Sequence, residues 1–284
     1  MSIAMDTGLG SAYERWAIYA LLERWLGPLH LASAAEGPFD GMAGMPGLHL
    51  LPLARRGVSV TVIHPDAEAR ERVRRVYRSA GLLDRLTLRA EEGARADAQL
   101  VFNAAHQVDD WRRHLAETAA RANRWLIVFA THPRSYGVVV RRVLRKLEPG
   151  EAAREQFDHE SCRPEVMRRA LAPLGEIVAE AYVDCPWWPD LFVSPGESLL
   201  SASLSRFRGG PRTARPSRWD FPPAAFPFAR ETRPPIIADA LRRHPSFERA
   251  PPLVAGWFAH HRAYLVRRSA REPVNGSGGT DEVL

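Results

Sequence analysis

The chain has 284 residues, of which 45% are hydrophobic and 25% are charged. These fractions are close to those of ordinary globular domains, so they exclude a wholly disordered chain and leave room for a substantial core. The 39 basic and 33 acidic residues give a net charge of +6, but the basic residues are dispersed and form no run typical of a nucleic-acid-binding arm.

The cysteines and the terminal segments argue against several classes of protein. Cys162 and Cys185 form no CxxC pair, and no histidine lies at zinc-finger spacing from either, so we expect neither a disulfide framework nor a metal site. The N-terminus lacks the basic and apolar regions of a signal peptide, and no apolar run approaches the roughly 20 residues that span a bilayer. We therefore expect a cytoplasmic protein without membrane association.

Hydrophobic periodicity divides the first part of the chain into alternating helices and strands. An amphipathic helix over 11–26 precedes a short strand over 29–35, which leads into a glycine-rich loop. A helix ending at Gly57, a β-branched strand over 58–63 and a basic helix over 67–81 come next. This alternation of strand, glycine-rich turn, helix and strand is typical of the parallel sheet of an α/β fold.

The same alternation continues towards the C-terminus. Further strands are predicted over 86–89, 97–105, 124–130, 176–183 and 257–268, and further helices over 110–121, 135–147 and 163–173. Residues 184–235 are rich in Pro, Trp, Phe and Arg and show little periodicity. We interpret them as an ordered insertion, because they are too aromatic for a free linker.

Three stretches of the chain carry a resemblance to a known family. They are the loop, helix and strand over 41–69, the strand and helix over 97–117, and the strand and loop over 124–137. In this order they resemble the class I S-adenosylmethionine (SAM)-dependent methyltransferases. The resemblance implies a sheet that binds SAM at the carboxyl ends of its strands, and transfer of a methyl group to an acceptor.

The predicted fold is therefore a Rossmann-like, seven-stranded, doubly wound α/β sheet with an N-terminal helical cap and a C-terminal insertion. The predicted units are a cap helix over 1–28, a SAM-binding core over 29–150, the remainder of the sheet with the Pro- and aromatic-rich insertion over 151–272, and a disordered tail over 273–284. In a sheet of this kind, ligands bind at the carboxyl ends of the strands, where the strand order reverses.

The glycine-rich loop is the predicted SAM-binding element. Gly41, Gly44 and Gly47 allow close approach of the backbone to a ligand, and the resemblance implies that they hold the methionine part of SAM. The alternative is a tight turn. Ala43 and Met45 occupy the family's two earlier glycine positions, and GMAGMPG is not a GxGxxG fingerprint, which disfavours a dinucleotide cofactor. On this basis, Gly47→Val should abolish SAM binding and leave the fold intact.

Residues after the next two strands are candidates for contacts with the rest of SAM. His64 stands where the resemblance implies a ribose-binding acid, with Pro65 and Asp66 beside it. The alternative is a surface turn in which Asp66 caps the next helix. Glu91 and Glu92 follow the third strand, where the resemblance implies an acid near the adenine amino group; a solvated acidic turn is the alternative.

The ends of the fourth and fifth strands hold the candidates for catalysis and acceptor binding. Asn103 is a predicted cofactor contact, and His106 is the general-base candidate, because imidazole titrates near neutrality; a structural role is its alternative. His132 and Tyr136 are predicted to line the acceptor pocket, although Tyr136 also fits the apolar face of a helix. Residues 103–106 read NAAH rather than the N/D-P-P-Y motif of amino-base methyltransferases, which disfavours a nucleic-acid base as acceptor.

The predicted function is transfer of a methyl group from SAM to a small-molecule acceptor, without a metal ion. The expected partner is this acceptor rather than a nucleic acid or a membrane, and a homodimer is the one assembly left open. The alternative is a non-catalytic protein with the methyltransferase fold that binds a partner or a ligand.

Overall fold

A computed structural model describes residues 9–39, 46–104, 108–139, 161–186 and 246–268. The predicted helix over 135–147 is described only up to residue 139, and residues 136–139 are helical. Most of the predicted insertion and the whole predicted tail lie outside the described residues.

Seven strands form one sheet in the order β3-β2-β1-β4-β5-β7-β6. The strands are β1 (Ser33–Glu36), β2 (Ser59–Ile63), β3 (Leu86–Arg89), β4 (Ala96–Phe102), β5 (Ala122–Thr131), β6 (Glu176–Val183) and β7 (His261–Arg267). Strands β1 to β5 are mutually parallel, whereas β7 runs antiparallel to both of its neighbours, β5 and β6. The predicted fold class is confirmed.

Besides the partly described helix that begins at residue 136, six α-helices of the described residues flank the sheet. They are α1 (Leu9–Leu26), α2 (Leu51–Arg55), α3 (Ala67–Ser79), α4 (Trp111–Arg121), α5 (Pro164–Leu171) and α6 (Pro252–Phe258). The predicted final strand over 257–268 is wrong at its start. Trp257 and Phe258 end α6, which begins at Pro252, a residue well suited to a first helical turn, and β7 begins only at His261.

Apolar side chains cover both faces of the sheet, because successive residues of a strand point to opposite sides. One cluster joins α1, α2 and α3 to the sheet, and its buried members include Ile18, Leu22, Leu50, Val73, Phe102 and Phe129. The other cluster joins α4 and α5 to the opposite face, and its buried members include Leu115, Met167, Leu171, Val128 and Tyr264. Within the described part of the chain, no helix has both the length and the apolar character that a bilayer crossing requires.

Candidate functional site

The strand order reverses between β1 and β4, which lie side by side in the middle of the sheet. In the register of this pair, Glu36 lies opposite Leu100, so the carboxyl ends of both strands open to the same edge. Glu36 is the last residue of β1, and Asn103 directly follows β4. The crevice at such a reversal is where open α/β sheets bind their ligands.

A buried carboxylate–imidazole pair lies at this edge. Glu36 is 3% exposed, and its Oε1 atom is 2.5 Å from Nδ1 of His49, which is fully buried. The His49 ring packs on the rings of Phe102 and Phe129, with centroids 4.5 and 5.9 Å away. Oε2 of Glu36 and Nε2 of His49 are buried without a hydrogen-bond partner among the described residues. Buried polar atoms are nearly always paired, so both atoms point to an additional partner.

The sequence did not predict this pair. The available signal was an acidic residue directly after a buried strand and directly before the glycine-rich loop. The predicted strand ended one residue too early, at Ala35, whereas β1 ends at Glu36. No local pattern singled out His49, because its position beneath β1 depends on how the turn after Gly47 packs in the folded chain.

Gly47 is fixed by packing at the end of the glycine-rich loop. Its φ of 77° is in the left-handed region, and a β-carbon there would overlap Cγ2 of Val62 on β2. Its carbonyl accepts a hydrogen bond from the Tyr77 hydroxyl at 2.9 Å. The glycine at this position is therefore explained by the fold. Gly41 and Gly44 lie outside the described residues, so the role of the loop in SAM binding stays a prediction.

The turn after β2 holds His64, Pro65 and Asp66. Asp66 is the N-cap of α3 and accepts hydrogen bonds from the backbone N–H groups of Glu68 and Ala69, each at 3.0 Å. These backbone bonds lower the pKa of Asp66 below its ordinary value. Nδ1 of His64 accepts the N–H of Asp66 at 3.2 Å. The geometry assigns Asp66 the capping role, and the predicted SAM contacts of His64 and Pro65 stay predictions.

Replacing Asp66 with alanine should lower the melting temperature, whereas Asp66→Asn should lower it much less, because asparagine also caps helices. Since the native pKa of Asp66 is lowered, its stabilising contribution should be present at neutral pH and lost as the pH falls through that pKa.

Neither variant of Asp66 should change the affinity for SAM, whereas His64→Ala should weaken it severalfold. Thermal melts and calorimetric titration test these effects. If Asp66→Ala lost SAM binding while His64→Ala kept the wild-type affinity, the ribose contact would be assigned to Asp66 instead of His64.

The other predicted cofactor contacts follow the carboxyl ends of β3 and β4. Glu91 and Glu92 are exposed in the turn after β3, and Glu92 forms an ion pair with Arg121 at 2.5 Å. Asn103 has a φ of 52°, a conformation that asparagine tolerates better than most residues, and its Oδ1 accepts the Thr131 hydroxyl at 3.2 Å. Asn103 thus lies at the edge beside β5, and the roles of these three residues stay predictions.

The predicted catalytic and acceptor residues are only partly described. His106 lies outside the described residues. His132 is buried after β5, its ring packs edge-on against Tyr182, and burial lowers its pKa to about 4, so its imidazole is neutral at pH 7. Tyr136 packs against Trp257 and Phe258 of α6. These contacts give both described side chains a packing role, and their contact with an acceptor stays a prediction.

A second polar group, which we call the carboxylate–histidine cluster, comprises Glu14, Asp184, His260 and His261. Nε2 of His261 is 3.0 Å from Oε1 of Glu14, and Nδ1 of His260 is 2.7 Å from Oδ2 of Asp184. The His261 ring packs on Phe102, with centroids 5.1 Å apart, so the cluster adjoins the Glu36–His49 pair. The sequence did not predict the cluster, because its members come from α1, the end of β6 and the start of β7.

Next to this cluster, Tyr13 of α1 is hydrogen-bonded to residues far away in the chain. Its hydroxyl lies 2.5 Å from the Ser246 hydroxyl and donates to Oε1 of Glu248 at 3.3 Å. Glu248 also accepts the backbone N–H of Cys185 at 2.7 Å. Burial raises the pKa of Glu248 to about 7. Tyr13 is 1% exposed, which agrees with core packing of the cap helix.

The raised pKa of Glu248 predicts a pH dependence of stability. The native state binds its proton more tightly than the unfolded chain, so the contribution of Glu248 should be full below the ordinary glutamate pKa and decrease as the pH rises towards 7. Glu248→Gln should remove this decrease. Urea unfolding of the wild type and of Glu248→Gln measures this decrease. The measurements should cover about pH 4 to pH 8, from the ordinary glutamate pKa to above the raised pKa of Glu248. Parallel stability profiles for the two proteins would contradict the prediction.

The position of β7 decides the fold. It is inserted antiparallel between β5 and β6 in an otherwise parallel sheet that reverses at β1 and β4. This is the class I methyltransferase fold. No protein-family model and no curated protein matches the chain.

Several solved structures are similar to the chain at low identity. Magnesium protoporphyrin IX methyltransferase from Synechocystis, with bound SAH, is 19% identical, with a TM-score of 0.46 over 61% of this chain and 77% of its own. The cyclase SpnF is 14% identical, with a TM-score of 0.48 over 89% and 80%. Geranyl diphosphate C-methyltransferase from Streptomyces coelicolor is 15% identical, with a TM-score of 0.41 over 88% and 75%. Such values carry neither a substrate nor an activity over to this chain, since one fold serves many functions.

Proposed function

We propose that this protein transfers a methyl group from SAM to a small-molecule acceptor. The observation that carries the proposal is the buried Glu36–His49 pair at the reversal point of a methyltransferase fold, with two buried polar atoms that lack a partner among the described residues. A buried carboxylate oxygen needs a donor, and the amino group of SAM is one.

The residues at this edge fit SAM in their chemistry. Oε2 of Glu36 can accept from an ammonium group, and Nε2 of His49 can pair with a further polar group of the ligand. The side-chain NH₂ group of Asn103 is a further donor, since Oδ1 already accepts from Thr131. When bound, SAM supplies an electrophilic methyl group.

The chain's own contribution to such a reaction is mainly alignment of the two reactants. Positioning of this kind is worth up to about 7–11 kcal/mol of the barrier. Glu36 is held by His49, and His49 is held between Phe102 and Phe129, so the carboxylate is fixed before a ligand arrives. His106 stays the predicted general base for an acceptor that must lose a proton.

Calorimetric titration with SAM and with SAH tests the proposal. We expect one ligand per chain, with binding weakened by about tenfold or more in Glu36→Gln, because a hydrogen bond to a charged group is worth about 1.5–3 kcal/mol. Glu117→Gln is the matched control, since Glu117 is an exposed carboxylate that pairs with Arg113 on α4. Failure of wild-type protein to bind either ligand would reject the proposal and favour the non-catalytic alternative.

A further inference from the structure

We propose that Glu14, Asp184 and His261 form a binding site for a divalent transition-metal ion. One potential ligand atom from each side chain lies within 4.8 Å of the other two. Glu14 belongs to α1, Asp184 follows β6, and His261 begins β7, so only the folded chain brings them together. The proposal is independent of SAM binding.

Two carboxylates meet at this position. Asp184 is 3% exposed, and the Glu14 side chain is 20% exposed, so two carboxylates lie close together with little water to screen them. A cation between the two carboxylates would remove their mutual repulsion.

His261 supplies the nitrogen atom of the group. His261 is 7% exposed, and its Nδ1 atom is buried without a hydrogen-bond partner among the described residues. When the ring proton is on Nδ1, Nε2 keeps a lone pair that faces Glu14, and a metal ion accepts such a lone pair. The separation of 3.0 Å between Nε2 and Oε1 of Glu14 also matches adjacent ligands on a metal with bonds of about 2.1 Å.

The surroundings of Asp184 are those of an oriented ligand. Nδ1 of His260 binds its Oδ2 atom at 2.7 Å, and the His260 backbone N–H donates to its carbonyl at 2.9 Å. Hydrogen bonds of this kind hold ligating carboxylates in place in metal sites. One imidazole and two carboxylates suit Mn²⁺ or Zn²⁺ better than Ca²⁺, which prefers oxygen ligands alone.

The site would lie beside the candidate cofactor crevice. His261 pairs with Thr131 at the end of β5, and its ring contacts Phe102 at the end of β4. A cation at this position would therefore stand next to the edge where the acceptor is proposed to bind. This consequence rests on the proposed function, whereas metal binding itself does not.

Calorimetric titration of the metal-stripped full chain with MnCl₂ and with ZnCl₂ tests the proposal. We expect one ion per chain, and about tenfold or greater weakening in both Asp184→Asn and His261→Gln. Glu117→Gln, which removes an exposed carboxylate on α4, should bind like the wild type. Circular dichroism checks that each variant is folded, and Glu14→Gln replaces any variant that is not.

A spectroscopic measurement identifies the histidine directly. In the Mn²⁺-loaded protein, pulsed electron paramagnetic resonance should show modulation from a directly bound nitrogen, and His261→Gln should abolish it. Absence of binding, unchanged affinity in the folded variants, or persistence of the nitrogen signal in His261→Gln would each overturn the proposal. The SAM titration is separate, so failure of the metal site leaves the proposed function standing.

Discussion

Gly47→Ala is expected to destabilise the protein by about 2–5 kcal/mol. Alanine in the left-handed region costs about 1–2 kcal/mol, and overpacking of a core costs typically about 1–3 kcal/mol. Both costs apply here, because Gly47 has a φ of 77° and its added methyl group would overlap Val62. Urea unfolding followed by circular dichroism measures the change in the free energy of unfolding.

Gly57→Ala is the matched control for this experiment. Gly57 has a φ of 86°, but an added β-carbon would meet nothing within 4 Å. Its replacement should therefore cost only the backbone strain, about 1–2 kcal/mol. Equal losses in the two variants would show that the contact with Val62 has no energetic consequence.

The same geometry corrects one expectation from the sequence. Gly47→Val was expected to abolish SAM binding and leave the fold intact, but the larger side chain would meet Val62 in the core. That expectation is wrong with respect to the fold. Loss of SAM binding in Gly47→Val would therefore not show that the loop binds SAM, because damage to the fold has the same effect. The Glu36→Gln titration is the better test of the cofactor site, because it keeps the side-chain shape.

His49→Ala is expected to destabilise the protein by about 3–5 kcal/mol, because it leaves a buried carboxylate without its partner. Glu36 is 3% exposed, and the described residues offer no donor for its second oxygen. Adding Glu36→Gln to His49→Ala removes the buried charge, so the double variant should be more stable than His49→Ala alone. Urea unfolding of the two single variants, the double variant and the wild type completes the cycle.

His114→Ala controls for the loss of a buried ring. His114 is 6% exposed on α4, and its Nε2 atom faces the Thr118 hydroxyl at 3.4 Å rather than a carboxylate. Its replacement should cost less than that of His49, since no buried charge is left behind. Strictly additive losses for Glu36→Gln and His49→Ala would contradict the coupling of this pair.

The local pattern of the chain predicted most of the sheet. Strand β3 over 86–89 and strand β6 over 176–183 have the predicted bounds. Apolar residues are frequent in both segments, and turn signals bound them. The capping of α3 by Asp66 was also readable as one of two alternatives, since an N-cap depends on neighbouring residues only.

Tertiary contacts decided the site. Glu36 meets His49 because the turn after Gly47 folds beneath β1, and Glu14 meets His261 across most of the chain length. The Trp257–Phe258 segment reads as a strand by alternation, but it is the end of α6. Periodicity reports which side of an element is buried, and it does not report which distant side chain lies opposite. The sequence alone therefore determined the fold class and predicted the edge at which a ligand would bind, whereas packing between distant segments decided which carboxylates and imidazoles meet there.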